Sequence, residues 1–187
     1  GKFQWADVEF FLMDDRWNKA PNELNDPNKD YWGAKQMTWL LDQLSTSRAS
    51  FKVIVNGGQV ISPAKVFENM ANYEAERTYL LKELKNRKIP GVLFLTGDRH
   101  ISNLNKLERE GTYPLYDLTV SPMTAGKADA VKQDYNATLV EGTLVQERAF
   151  SKIEVTGPLK DRTLTITLFN VKGEVLWTKE IKSNQLK

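Results

Sequence analysis

Short apolar runs alternate with stretches of helical periodicity over the first half of the chain, and a strict two-residue alternation takes over near its end. Residues 8–13, VEFFLM, form a run too short for a helix and read as a strand buried on both faces, as in a parallel sheet. Residues 18–31 are rich in Asn, Asp, Pro and Lys without any period, which predicts a loop. Over residues 33–46, Met37, Leu40, Leu41 and Leu44 fall at i, i+3, i+4 and i+7, the single buried stripe of a helix. Met37 and Trp39 read as packing residues of that helix. Residues 51–55, FKVIV, predict a second buried strand. A second helix over residues 73–88 carries Tyr73, Leu80, Leu81 and Leu84 at helical spacing. Its last turns gather Lys82, Lys85, Arg87 and Lys88, cations that suit the negative end of the helix dipole. Pro90-Gly91 stops it. Residues 92–95, VLFL, are the third buried strand, and residues 115–120 read as a further short one.

Residues 125–145 are polar and weakly patterned, so a loop is expected there, one able to wrap around a partner domain. From Phe150 onward Ile153 and Val155 alternate with Lys152 and Glu154. Leu164, Ile166 and Leu168 alternate with Thr163, Thr165 and Thr167, and residues 175–181 close the series. Turn signals at 157–161 and 170–173 make these antiparallel hairpins. The predicted organisation is an α/β core, β-α-β-α-β, over residues 1–120, an irregular stretch over 121–149 and antiparallel strands over 150–187. The 187 residues suit one domain.

Parallel strands with right-handed crossovers put their carboxyl ends on one sheet edge. The three ends are Asp14-Asp15-Arg16, Asn56-Gly57-Gly58-Gln59 and Gly97-Asp98-Arg99-His100. Ligands of open α/β sheets sit outside such ends. Gly97 frees the backbone to turn. If the extended conformation continues past it, Asp98 and His100, two apart, point to the same side. His100 is the only histidine, and on spacing alone it reads equally as a hydrogen-bonded structural residue. Asp14-Asp15-Arg16 reads as a solvated turn, or as an acid and an arginine at a site edge, where Arg16 would grip phosphate. Gly57-Gly58 reads as a tight turn, or as a close backbone approach to a bound group with Asn56 or Gln59 offering amide oxygens. No Gly-Lys-Ser/Thr follows, so this is not a P-loop.

Composition narrows the chemistry. Lys plus Arg is 26 against 24 for Asp plus Glu, a balance that gives no nucleic-acid signal. There is no cysteine, which excludes disulfides, thiolate metal sites and a cysteine nucleophile. No apolar run approaches the ~20 residues that span a bilayer, and no signal peptide is visible. The chain opens on Gly1 rather than Met, and is expected to be a piece of a longer protein.

The strand ends, in this order, resemble the C-terminal half of the alkaline phosphatase D-like metallophosphatases, a branch of the calcineurin-like metallophosphoesterases. The pieces that carry the resemblance are VEFFLMDDR, GAKQMTWLLDQL, FKVIVNGGQV-ISP, YEAER, VLFLTGDRH, LTVSPMTAG, FSKIEVTGP and GEVLWTKEI, which together span nearly the whole chain. The resemblance implies half of an α-β-β-α sandwich with its site at the strand ends. It implies hydrolysis of phosphate mono- or diesters by metal-bound hydroxide, with iron and calcium as the associated metals, in a periplasmic or secreted protein. Gly97-Asp98-Arg99-His100 matches the late G-D-x-H motif of that family, so Asp98 and His100 are the implied metal ligands. Asn56 and Gln59 resemble an Asn-Gln pair of the family, here separated by Gly57-Gly58. Arg16 and Arg99 are candidates for substrate contact or for supporting the site, and each reads equally as a surface ion-pair partner.

The earlier family motifs, which supply further acids and an asparagine, have no counterpart in the chain. Asp98 and His100 alone cannot fill the coordination of two cations. The expectation is therefore an enzymatic parent protein whose missing N-terminal half completes the site, and a chain inactive by itself. Two other readings remain. One is a degenerate, non-catalytic relative acting as a binding module or as a homodimer through an exposed apolar face. The other is an unrelated hydrolase using Asp98 and His100 as an acid–base pair, although no serine-elbow motif accompanies them.

Overall fold

The computed structural model describes all 187 residues. Its larger sheet has six strands in the order β1-β2-β3-β4-β6-β5. These are β1 (Lys2–Trp5), β2 (Val8–Leu12), β3 (Phe51–Val55), β4 (Val92–Thr96), β5 (Asn103–Leu107) and β6 (Leu115–Thr119). β2, β3, β4 and β6 run parallel, and the two edge strands β1 and β5 run antiparallel to their neighbours. Helix α1 (Ala34–Thr46) connects β2 to β3, and helix α2 (Glu74–Asn86) connects β3 to β4. The expected β-α-β-α-β core is present, with α1 one residue and α2 three residues shorter than the periodicity suggested.

Met37, Leu40, Leu41 and Leu44 of α1 and Leu80 and Leu84 of α2 are buried. Burying one such leucine contributes about 1.5–3 kcal/mol, so the two stripes anchor the helical layer. A second sheet, β7 (Ala149–Thr156), β8 (Thr163–Asn170) and β9 (Val175–Lys182), is antiparallel throughout. Ile153, Leu164 and Ile166 of this sheet meet Val53, Leu93, Leu104 and Leu118 of the larger one across a residual gap of about 20 Å³. The layers are therefore helix, sheet, sheet. That arrangement explains the near-continuous apolar runs of β3 and β4, which are covered on both faces.

Two strands escape the sequence reading. β1 is exposed along its whole length and offers no buried face to read. β5, NLNKL, buries Asn103 and Asn105 along with Leu104, so polar residues interrupt the apolar signal. Gln59 Nε2 donates to Asn103 Oδ1 at 3.1 Å, and the Thr138 hydroxyl donates to Asn105 Oδ1 at 2.9 Å. Residues 125–145 hold no strand, as expected, and part of the segment packs on this chain itself. Ser102 pairs with Val145 and Asn105 with Leu139, so the segment lies along this chain's own edge strand. It covers the unpaired β5 edge, which would otherwise offer free hydrogen-bonding groups.

The YEAER stretch has a structural role that periodicity does not show. The free amides of Trp32 and Gly33, just before α1, donate to the two carboxylate oxygens of Glu76 at 2.8 Å each. Glu76 thus supplies the N-terminal partner that α1 lacks from its own side chains. Arg77 Nε and Nη2 donate to the carbonyls of Val60 and Ile61 at 2.8 and 2.6 Å. The amides of the same two residues donate to Asp117 Oδ2, at 2.8 and 3.1 Å. One helix and one strand therefore clamp the chain where it leaves the β3 loop.

Candidate functional site

The three parallel strand ends meet through hydrogen bonds. Asp15, after β2, accepts the Gly58 amide at 3.0 Å and the Tyr31 hydroxyl at 3.2 Å. The Gly97 amide, after β4, donates to the Gly57 carbonyl at 2.8 Å. A Cβ on Gly57 would lie 2.5 Å from Asp15 Oδ2, and one on Gly58 would lie 2.9 Å from both the Glu68 carbonyl and the Tyr31 hydroxyl. The glycine pair thus serves a close approach, and the approaching groups belong to the protein: a carboxylate, a phenol and a carbonyl.

Asn56 and Gln59 support this loop from beneath. Asn56 Oδ1 accepts the Trp32 indole N–H at 2.9 Å, and its Nδ2 donates to the Tyr31 hydroxyl and the Gly58 carbonyl. Gln59 Nε2 donates to Asn103 and Thr119, and its Oε1 accepts from Asn69. Both side chains are buried and committed to internal partners.

The chain does not stay extended past Gly97. Asp98 has φ 62° and His100 has φ 55°, both left-handed. Non-glycine residues adopt that region at a cost of roughly 1–2 kcal/mol each, so the surroundings must hold the turn in place. Three contacts do so. The His100 amide donates to Ser121 Oγ at 3.1 Å, and its carbonyl accepts the Ala128 amide at 3.1 Å. Arg99, between them, turns inward, and its Nη2 donates to both carboxylate oxygens of Asp134 at 2.7 and 2.8 Å. The Arg99 and Asp134 side chains are only 3% and 1% exposed, so a buried ion pair anchors the turn.

Asp98 and His100 still reach one place. With Arg16, Phe67, Glu68 and Arg99 they line an open cleft of about 480 Å³, joined by Ala128 and Asp129 from the segment after β6. Arg16 is 59% exposed, ion-pairs with Glu68, and approaches Asp15 and Asp98 at 4.0 Å. Burial works against its charge, but the hydrogen bond to Glu68 and the surrounding carboxylates outweigh it and raise the Arg16 pKa. Asp14, by contrast, accepts the Arg16 and Trp17 amides at 2.9 and 3.0 Å and caps a solvated turn.

The sequence therefore located four residues of the cleft wall, Arg16, Asp98, Arg99 and His100. It missed Phe67, Glu68, Asp129 and the anchor Asp134, which lie on segments without periodicity or motif. The donors suited to a metal ion are the Asp98 carboxylate and the His100 imidazole. No cluster of three or more His, Cys, Asp or Glu side chains is placed to hold an ion. These two residues fit part of a metal site and do not complete one.

Comparison with known proteins agrees with this architecture. The chain is 31% identical over 94 residues to alkaline phosphatase D of Bacillus subtilis (strain 168), an alignment covering 46% of the chain and 16% of that relative. A solved structure described as "Structure of PhoD" superposes with a TM-score of 0.71 at 17% identity, covering 97% of the chain and 43% of that structure. The chain thus spans less than half the length of the relatives it matches. The shared fold includes the C-terminal antiparallel strands as well as the mixed sheet. The PhoD-like phosphatase profile matches residues 1–159, taking in every strand end that lines the cleft, and the chain belongs to the PhoD-like phosphatase family.

Proposed function

We propose that the cleft is part of the active site of a metal-dependent phosphoesterase acting on phosphate mono- or diesters. The observation that carries this reading is the convergence of Asp98, His100, Arg16 and Arg99 on one cleft at the carboxyl edge of the parallel strands. Family membership supports the reaction class.

Asp98 and His100 would hold a cation, for which carboxylate oxygen and imidazole nitrogen are fitting donors. Such an ion, iron or calcium by family likeness, would polarise the phosphoryl group and lower the pKa of water. Arg16 would meet phosphate oxygens from the exposed rim. Asn56 and Gln59 would act indirectly, by fixing the loop on which Asp15 and Gly58 meet. Two ligands do not satisfy a metal pair, so the 187-residue chain alone turns over slowly or not at all, and further ligands come from elsewhere in the complete protein. An exported location goes with this reading. No helix is long and apolar enough to cross a membrane.

The test is hydrolysis of a bis-aryl phosphate, with metal content measured in parallel, by the complete natural protein and by the 187-residue chain. Metal-dependent turnover by the complete protein, abolished by His100→Ala, is the expected result. Turnover that persists in His100→Ala, or none with any metal, overturns it.

One observation favours a second, non-catalytic reading. Phe3, Trp5 and Leu12 are 49%, 76% and 45% exposed, and the β1–β2 register places them on one sheet face. That apolar strip suits a covering partner, such as further chain of the same protein or a second copy. Concentration-independent monomer mass with no loss of solubility would count against it.

A further inference from the structure

Arg99 is committed on one edge and one face. Nη2 is held by both oxygens of Asp134. The Phe67 ring lies over the guanidinium with its centroid 4.8 Å away. Nε and Nη1 are shielded from water and have no hydrogen-bond partner. Buried donors without acceptors are rare in native structures, and each calls for an explanation such as a missing ligand. Arg99 and Phe67 both line the cleft.

We propose that Arg99, anchored by Asp134 and stacked under Phe67, is an oxyanion subsite of the cleft, offering the Nη1 N–H group, which has no protein acceptor, to a phosphate oxygen. The proposal rests on reading the cleft as a phosphoester site, and it adds the residues that build the anion grip. A hydrogen bond from an ionised N–H donor to an anionic oxygen is roughly twice as strong as one between neutral groups. Asp134 fixes the guanidinium plane, so little freedom remains to be lost when the anion arrives.

Phe67 is the movable part. It is 63% exposed and has φ 48°, a left-handed value. Its carbonyl, not its ring, is tied down, accepting from Asn22 Nδ2 at 2.9 Å and Asn72 Nδ2 at 2.8 Å. The ring itself is largely exposed, so it can move aside for an oxyanion with little loss of buried apolar surface. The cleft also presents Asp98, Glu68 and Asp129, which oppose a free anion until a cation offsets them.

The test is a calorimetric titration of inorganic phosphate into the 187-residue chain at low ionic strength, once with Mg²⁺ and once with chelator. Binding is expected in at least one arm, strongest with Mg²⁺. Arg99→Lys is expected to weaken it tenfold or more, because lysine keeps the charge but its single ammonium cannot hold Asp134 and present a separate, fixed N–H group to the anion. Phe67→Ala, at an exposed position, is expected to tighten binding several-fold by opening Arg99 to the cleft. No binding in either arm, or equal affinity in Arg99→Lys, overturns the subsite. Unchanged or weaker binding in Phe67→Ala removes Phe67 from it. Metal-dependent turnover by the complete protein that is indifferent to Arg99→Lys would sink the subsite and leave the phosphoesterase reading standing.

Discussion

Replacing Asp117 separates what holds the site loop from what catalyses. Asp117 is fully buried in β6. It accepts the Val60 and Ile61 amides at 2.8 and 3.1 Å and the Thr96 hydroxyl at 2.7 Å. Asp117→Ala strands two buried amides, each costing about 1–3 kcal/mol. Thr96 keeps a second partner in Thr119 Oγ1 at 3.0 Å, so its loss is smaller. The sum is about 4 kcal/mol, which for a chain of this size lowers Tm by roughly 8–16 °C. Asp117→Asn keeps an oxygen for both amides and stays within about 1 kcal/mol of the parent at neutral pH.

The pH dependence has a definite sign. Burial raises the Asp117 pKa, against the opposing effect of the Thr96 hydroxyl, the two amides and Arg77. A raised folded pKa contributes stability at pH values below the ordinary carboxylate range and loses it as pH rises through the folded value. The neutral Asn does not titrate, so Asp117→Asn gains on the parent as pH increases from that range upward. Thermal unfolding followed by circular dichroism across pH measures both effects. Equal Tm values for the Ala and Asn variants, or an Asn variant whose Tm falls relative to the parent as pH rises, would refute the reasoning.

Other outcomes are equally specific. Gly57→Ala forces a methyl to 2.5 Å from Asp15 Oδ2, a side chain held by Gly58 and Tyr31, and should cost about 1–3 kcal/mol in denaturant titration. Leu40→Ala empties a fully buried position on α1 and should cost about 2–5 kcal/mol by the same measurement. For Asp7, burial is outweighed by hydrogen bonds from Arg162 and Ser50, which hold its pKa below the ordinary value. That contribution is present above the unfolded pKa and lost as pH falls through the folded one. Arg162→Ala should therefore cost about 0.5–1.5 kcal/mol at neutral pH, after allowance for solvent screening, and almost nothing in acid. Arg16→Ala breaks exposed ion pairs and should change stability by less than about 1 kcal/mol, while raising KM in the complete protein.

Much of the fold was legible because local pattern and burial agree in the parallel core. Met37, Leu40, Leu41 and Leu44 all face inward, and the apolar runs of β3 and β4 sit between two layers. β5 was hidden because Asn103 and Asn105 are buried by hydrogen bonding, which leaves no apolar signature. The site was legible where glycine and charge follow an apolar run, as at Gly97-Asp98-Arg99-His100. The left-handed turn there was not, because side chains that hold it, Ser121 and Asp134, lie 21 and 35 residues away from their partners. Glu76 and Arg77 look like ordinary helix-surface charges, and only the fold shows that they tie two loops to α2.

The most direct test of the account is metal binding by the complete natural protein, titrated calorimetrically beside its Asp98→Asn and His100→Ala variants, with bis-aryl phosphate turnover recorded on the same samples. The account predicts that each variant, still folded by circular dichroism, loses metal affinity at least tenfold and loses turnover with it. Folded variants that bind metal and hydrolyse the ester as the parent does would contradict it.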